Sequence, residues 1–326
     1  IRAIEHLPNT PRQIFIFQGL LDDPATMPKF AHIPFVAEPG SKSKLSKRKI
    51  DNYVKRPEFK AMVEHGQRIA EQLRLNTTLD AFNPVLIDFY AQLGYLPSAI
   101  LNYLLLLGWS LDDKTEDFTV AEMIQAFSLE RVVKSPASFD PEKLSAFQSR
   151  HFQRLSDDER AERVVPFLAQ AGWVPHATWG QLTPEMQTKL LGLVRHAADR
   201  LKVAGDILQF DDFFVTADKL VYDDKAFVKR LVNAEQAGHW LAEYLKVLTI
   251  IDEFTVPVLK AAMDEFCQRF EIKIGDIIHA LRVAVTGRAV GFGVFESLEV
   301  LGKAESLARL RQSIARIPTI RNAQAH

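Results

Sequence analysis

Lys42, Lys44, Lys47, Arg48 and Lys49 fall within eight positions of the stretch GSKSKLSKRKIDNYVKRP, residues 40–57, and no acidic residue lies between Glu38 and Asp51. A chain of formal net charge -1 has no bulk excess of cations to account for such a block. Two readings are open. One is a solvated surface loop; the other is a mobile loop that brings ammonium groups to a polyphosphate and neutralises charge on a reacting triphosphate. Lys44-Leu45-Ser46-Lys47-Arg48 sets two lysines three apart around a small hydroxyl residue, in a segment too polar to be buried. Upstream, Arg2, Glu5 and His6 stand at the end of a predicted strand. Arginine can clamp a carboxylate through two parallel hydrogen bonds. In an open α/β sheet, ligands bind beyond the carboxyl ends of the strands, so both groups could face one cleft. That arrangement suits activation of an acid by ATP.

The elements that must position these residues follow from local signals. The opening IRAIEHLPNTPRQIF reads as a strand end running into a loop, with no initiator Met and no signal-peptide core, so the start is expected to be cut from a longer protein. Thr10-Pro11 starts a helix, and AHIPFVAE reads as a short strand leading into the basic loop. Residues 55–75 form a charged helix with Met62, Ile69 and Leu73 on one stripe. Beyond residue 95 nearly everything is predicted helix. Pro97 opens SAILNYLLLLGW, apolar almost all round and so expected to be buried, and Gly108 ends it. Thr119 with Glu122 and Ser156 with Glu159 make capping boxes, while Asp140-Pro141 and Thr183-Pro184 are further helix starts. Helix bundles are therefore expected after about residue 50.

Composition narrows the classes. At 326 residues the chain can hold two or three domains, and 47% hydrophobic with 25% charged residues is ordinary for a folded globular protein. No apolar run approaches the roughly 20 residues of a membrane helix. The single Cys267 excludes an internal disulfide framework, suits a reducing compartment and reads as a packing residue. The nine histidines are scattered and suggest no metal site. The acidic stretch DDFFVTADKLVYDD, residues 211–224, lacks the glycine and terminal glutamate of a calcium loop and reads as a loop-to-helix junction. Gly287, Gly291 and Gly293 follow a helix rather than a strand, which makes them a turn between helices.

SKLSKR resembles the KMSKS signature of class I aminoacyl-tRNA synthetases, in the KLSKR form frequent in glutamyl-tRNA synthetases. IRAIEHLPNTPRQIF, FAHIPFV, GYLPSAILNYLLLLGWS, FSLERVVKSPASFDPEKL and TGRAVGFGVFESLEVLGKAESLARLR resemble further segments of that family, in its order, from residue 1 to about 315. The resemblance implies a bacterial-type enzyme that forms glutamyl-adenylate from ATP and glutamate, then transfers the glutamyl group to tRNA. It implies a mainly α chain: the end of a Rossmann-type α/β catalytic domain over 1–50, a helical stem-contact domain over 51–148, and helical anticodon-binding subdomains over 149–240 and 241–326. Carried over by position, Lys47 would stabilise the phosphates, Lys44 and Ser46 would shape the loop, Arg2 would help hold glutamate, and Glu5, His6 and the Phe35-Val36 backbone would surround the adenosine. The implied partners are ATP with Mg2+, glutamate and tRNA(Glu), with tRNA(Gln) open. A cytoplasmic monomer with no structural metal is implied too.

Three departures stand out. The HIGH-type motif is nowhere in these residues, so the chain is not expected to aminoacylate on its own. Ala3 takes the place of a usual glycine. Roughly thirty extra residues, near 50–83, separate the lysine loop from GYLPSA; they read as a helical decoration, with contact to tRNA or ordering of the loop as the alternatives. The competing functional reading is a stand-alone tRNA-binding module. A purely structural helical scaffold would have no need of a lysine loop behind a strand.

Overall fold

The computed structural model describes residues 1–324. The chain divides into two compact units: residues 1–155 with 202–206, and residues 156–201 with 207 onward. The first unit carries the strands, each two residues long: β1 (Arg2–Ala3), β2 (His32–Ile33), β3 (Val36–Ala37) and β4 (Ala137–Ser138). Its helices are α1 (Thr10–Leu20), α2 (Ile50–Tyr53), α3 (Pro57–Leu73), α4 (Ile87–Leu93), α5 (Pro97–Leu105), α6 (Val120–Ala126) and α7 (Pro141–Gln153).

β1, α1 and β2 form a parallel βαβ unit in which Arg2 pairs with His32 and Ala3 with Ile33. AHIPFVAE is not one strand. Pro34 has no N–H to give a ladder and interrupts the run, so His32–Ile33 pairs with β1 while Val36–Ala37 pairs in parallel with β4. β4 lies in the SPASFD segment, in the region beyond residue 95 that is expected to be nearly all helix.

The expected helix starts are all present. Thr119 and Ser156 close reciprocal capping boxes with Glu122 and Glu159, the Asp140 carboxylate accepts from the Glu142 and Lys143 amides, and Thr183 caps through the Met186 amide. On α3, Met62, Ile69 and Leu73 are buried as the stripe requires. The SAILNYLLLLGW helix ends earlier and is less buried than expected. α5 stops at Leu105, and it buries Ala99, Asn102 and Tyr103 while Leu101 and Leu104 stay exposed. Asn102 explains the inversion: its amide donates to the Glu116 carbonyl at 2.8 Å and its oxygen accepts from the Phe118 amide at 2.8 Å, which fixes the polar face inward. Trp109, Phe118 and Met123 form a small core beside it.

The second unit contains α8 (Asp157–Gln170), α9 (Pro184–Ala197), α10 (Asp224–Phe227), α11 (Ala237–Ile250), α12 (Val256–Phe270), α13 (Gly275–Thr286) and α14 (Val294–Gln324). α14 is two helices joined across Gly302 at φ 75°. Gly287, at φ 73°, ends α13, and a Cβ there would meet the Val221 carbonyl oxygen at 2.3 Å, so both conformation and space demand glycine. The 211–224 stretch is a run of 3-10 turns leading to the Asp223 cap of α10, as a junction should be. Cys267 lies half-buried on α12, and burial pushes its thiol up.

Fully buried Arg309 organises this unit. Its guanidinium donates to Glu305 at 2.7 Å, to the carbonyls of Val285 and Asp212 at 2.7 Å, and to that of Val215 at 2.6 Å. Burial pushes the neighbouring Asp212 carboxyl up to about 6, against the pull of Arg288 and with Asp211 adding to the rise. A carboxyl raised on folding favours the protonated state, so its contribution is full below the unfolded value of 3.8 and is lost as pH rises through about 6. That interval corresponds to about 3 kcal/mol at most. Urea unfolding across this range should therefore show wild type losing stability relative to Asp212→Asn as pH rises from 4 to 7. Parallel profiles for the two proteins would contradict this account of Asp212.

Candidate functional site

The lysine loop leaves the carboxyl end of β3 and returns at once. The Glu38 amide donates to the Ser43 carbonyl at 2.8 Å, Lys44 bridges antiparallel to Ala37, and the Leu45 amide donates to the Val36 carbonyl at 2.9 Å. Gly40, at φ 65°, makes the turn, and its amide donates to the Ser138 hydroxyl at 3.2 Å. Ser46 then starts a short turn, Lys47–Lys49, that runs directly into α2. The loop is thus a small hairpin with a defined path.

Its charges are sorted. Glu38 is 5% exposed, and its carboxylate accepts from Lys49 Nζ at 2.6 Å and lies 3.7 Å from an Arg56 guanidinium nitrogen. The Lys49 hydrogen bond, with help from Tyr53 and Arg56, holds the Glu38 carboxyl below the usual carboxylate range, and Glu38 in turn raises Lys49. The grip is therefore full above the ordinary carboxylate value of 4.5 and is lost as pH falls through the lowered one. Lys44 forms an ion pair with Glu5, so the turn after β1 and the loop after β3 meet. Lys42, Lys47 and Arg48 are exposed and, among the described residues, have no ion-pair partner.

Arg2 is held on three sides. Nε points to His32 Nε2 at 3.2 Å, one terminal nitrogen donates to the Gln13 side chain and the other to the Thr10 hydroxyl, both at 2.5 Å. Guanidinium has five N–H donors, so one N–H remains on each terminal nitrogen. Arg2 borders a cleft of about 500 Å³ with Gln13, Phe17, Lys29 and Phe30 along its wall. His6 is exposed, and Phe35 and Val36 are half-buried. The Val36 carbonyl is already engaged by Leu45.

The structure thus joins Glu5 to Lys44 and gives Arg2 a fixed pose, while Lys47 projects free from the turn after Ser46. Sequence reasoning missed the supports. Glu38 carried a signal, as the last acid before a cationic block, but Thr10, Gln13, His32, Tyr53 and Arg56 carried none. Elsewhere in this unit Arg150 and Arg154 on and after α7 bond Asp117 at 3.2 and 2.9 Å, and the Arg150 guanidinium sits 4.4 Å from the Phe147 ring centre. No cluster of three His, Cys, Asp or Glu able to hold a metal occurs among the described residues.

Comparison with known proteins bears on this geometry. Residues 81–146 match the catalytic domain of class I tRNA synthetases (E and Q), and residues 159–314 match an anticodon binding domain. Glutamate–tRNA ligase 1 of Syntrophomonas wolfei is 32% identical over 315 residues, 96% of this chain and 54% of its own length. The glutamate–tRNA ligase of Saccharopolyspora erythraea is 34% identical over 318 residues, 95% of this chain and 54% of its own. Over nearly its whole length the chain is homologous to one portion of glutamate–tRNA ligases.

It spans about half the length of the curated relatives it matches. A crystal structure of a glutamate tRNA ligase from Elizabethkingia meningosepticum, in complex with its amino acid, superposes with a TM-score of 0.70 at 24% identity, covering 97% of this chain and 56% of that one. The likeness places the mainly helical architecture in the synthetase fold. No described helix is long and apolar enough to cross a membrane.

Support and display make opposite demands on a side chain. Phe59 is fully buried, with its ring 5.7 Å from Tyr53 and 5.9 Å from Phe139. Phe59→Ala should cost roughly 3–5 kcal/mol in urea unfolding, the usual loss for a buried phenylalanine. Lys47→Ala, an exposed change, should stay within about 0.5 kcal/mol of wild type.

Proposed function

We propose that this chain supplies the lysine-loop side of the ATP site and the tRNA-binding platform of a glutamate–tRNA ligase. One observation carries the reading: a cationic hairpin leaves a parallel strand with Lys47 and Arg48 exposed and, among the described residues, without an ion-pair partner, in a chain homologous to glutamate–tRNA ligases. ATP bound with Mg2+ would present its phosphates to Lys47, while Lys44 and Ser46 hold the hairpin's shape. Glutamate would place a carboxylate against the Arg2 guanidinium. Glu5, His6 and the Phe35-Val36 backbone would border the adenosine, with Glu5 also anchoring Lys44. These are positioning and electrostatic roles, sufficient where ATP itself provides the leaving group.

In the same reading residues 1–50 end the catalytic domain, 51–148 contact the tRNA stem, and 149–240 and 241–326 bind the anticodon. Single-stranded anticodon bases are read by stacking and by hydrogen bonds from arginine and polar side chains. The substrate is tRNA(Glu), and the protein acts as a cytoplasmic monomer.

Two measurements test the proposal. In the ligase, Lys47→Ala should lower glutamate-dependent pyrophosphate exchange at least tenfold while leaving tRNA affinity nearly unchanged; equal exchange in both proteins would remove Lys47 from the chemistry. This chain should bind tRNA(Glu) in preference to other tRNAs, with affinity falling steeply across a salt series as phosphate counterions are released. Affinity that does not vary with salt or with tRNA identity would overturn the platform reading.

A further inference from the structure

Both ends of the lysine hairpin are fastened to one short stretch of the segment that follows it. Tyr53, the last residue of α2, is fully buried, and its hydroxyl accepts a hydrogen bond from the Ser46 amide at 3.1 Å, one residue before Lys47. Arg56, which precedes α3, donates to the Pro39 carbonyl at 2.8 Å and stands 3.7 Å from the Glu38 carboxylate, at the hairpin's outgoing end. The Arg56 guanidinium also lies 5.8 Å from the Tyr53 ring centre.

The fastening has a rigid backing. Tyr53 stacks on Phe59 and Phe59 on Phe139, at 5.7 and 5.9 Å, and the Phe139 amide donates to the Ala37 carbonyl at 2.9 Å. The circuit leaves β3, crosses the hairpin to Tyr53, passes through two aromatic rings and returns to β3. Residues 39–46 therefore span two fixed points.

We propose that Tyr53 and Arg56 are positioning residues that hold the lysine hairpin in its phosphate-binding shape. This rests on the reading of Lys47 as a polyphosphate ligand. The extra residues near 50–83 then have a role, because their first two turns act as a strut for the loop rather than as decoration. A loop ordered on folding loses less conformational freedom when the phosphates arrive, so the strut raises affinity without touching the ligand. Arginine suits position 56 because its fork can reach a carbonyl and a carboxylate together, which a lysine does less well.

The test uses this chain and its variants Tyr53→Phe, Arg56→Ala and Arg56→Lys. Tyr53→Phe keeps the buried ring and removes one hydroxyl, and Arg56 is partly exposed, so the variants probe the loop with the packing retained. Hydrogen exchange across residues 39–49 and tryptic cleavage at Lys42 to Lys49 report the hairpin directly. Protection of the same lysines from acetylation by inorganic tripolyphosphate reports phosphate binding.

Tyr53→Phe and Arg56→Ala should exchange and cleave about tenfold faster and need about tenfold more tripolyphosphate for half-protection. Arg56→Lys should recover part of the loss, a rescue that simple damage to packing would not give. Unchanged exchange and cleavage in both Tyr53→Phe and Arg56→Ala would overturn the strut. Faster exchange in the variants, with no protection by tripolyphosphate even in wild type, would overturn the phosphate reading of Lys47 and the positioning role with it.

Discussion

The hairpin geometry depends on one buried carboxylate. A Glu38 ion sealed away from water would be costly if left alone, so its oxygens must be met by donors. Lys49 and Arg56 meet them. Each of these partners comes from beyond the loop's turn. Satisfying Glu38 therefore fixes where the chain goes after residue 46, and the position of Lys47 follows from the solvation needs of an acid nine residues earlier.

The cationic block is not a single feature. Lys44 and Lys49 are committed to Glu5 and Glu38, while Lys42, Lys47 and Arg48 face solvent without an ion-pair partner among the described residues. The paired cations set the shape, and the unpaired ones provide the charge that the shape displays. Their like charges repel at short range, and only part of that repulsion is screened by salt. A hairpin held through its backbone by Tyr53 and Arg56 keeps the segment that leads into Lys47 and Arg48 on one path.

Signals confined to a few residues were legible in the sequence. The capping boxes at Thr119 and Ser156, the proline starts at 97, 141 and 184 and the stripe on α3 need only neighbours one or two turns away, and all are found. What sequence concealed depends on distant partners. Val36–Ala37 separates from His32–Ile33 because β4, a hundred residues on, pairs with it, and two residues give no alternation to read. Asn102 turned an apolar helix the unexpected way round through bonds to residues 116 and 118. At the site, the lysine spacing announced the loop and Arg2 the adjoining strand, but a tyrosine hydroxyl aimed at a backbone amide leaves no trace in spacing.

The second unit meets a similar constraint with the opposite charge. Arg309 is wholly buried, and most of its partners are carbonyls from segments that helix geometry leaves unsatisfied: Val285 near the end of α13, Asp212 in a 3-10 turn and Val215 in the bend after it. Helix ends and short turns carry carbonyls with no partner of their own, and a guanidinium fork can serve several at once. One side chain thus ties irregular backbone to two helices where a sheet would use ladders. Shortening the side chain would strand these carbonyls together rather than singly. Beside it, burial opposes ionisation of the Asp212 side chain, while the Arg288 and Arg309 cations favour it. Irregular backbone that is pinned in this way can present side chains at fixed positions without the regular helix that would otherwise be needed to hold them.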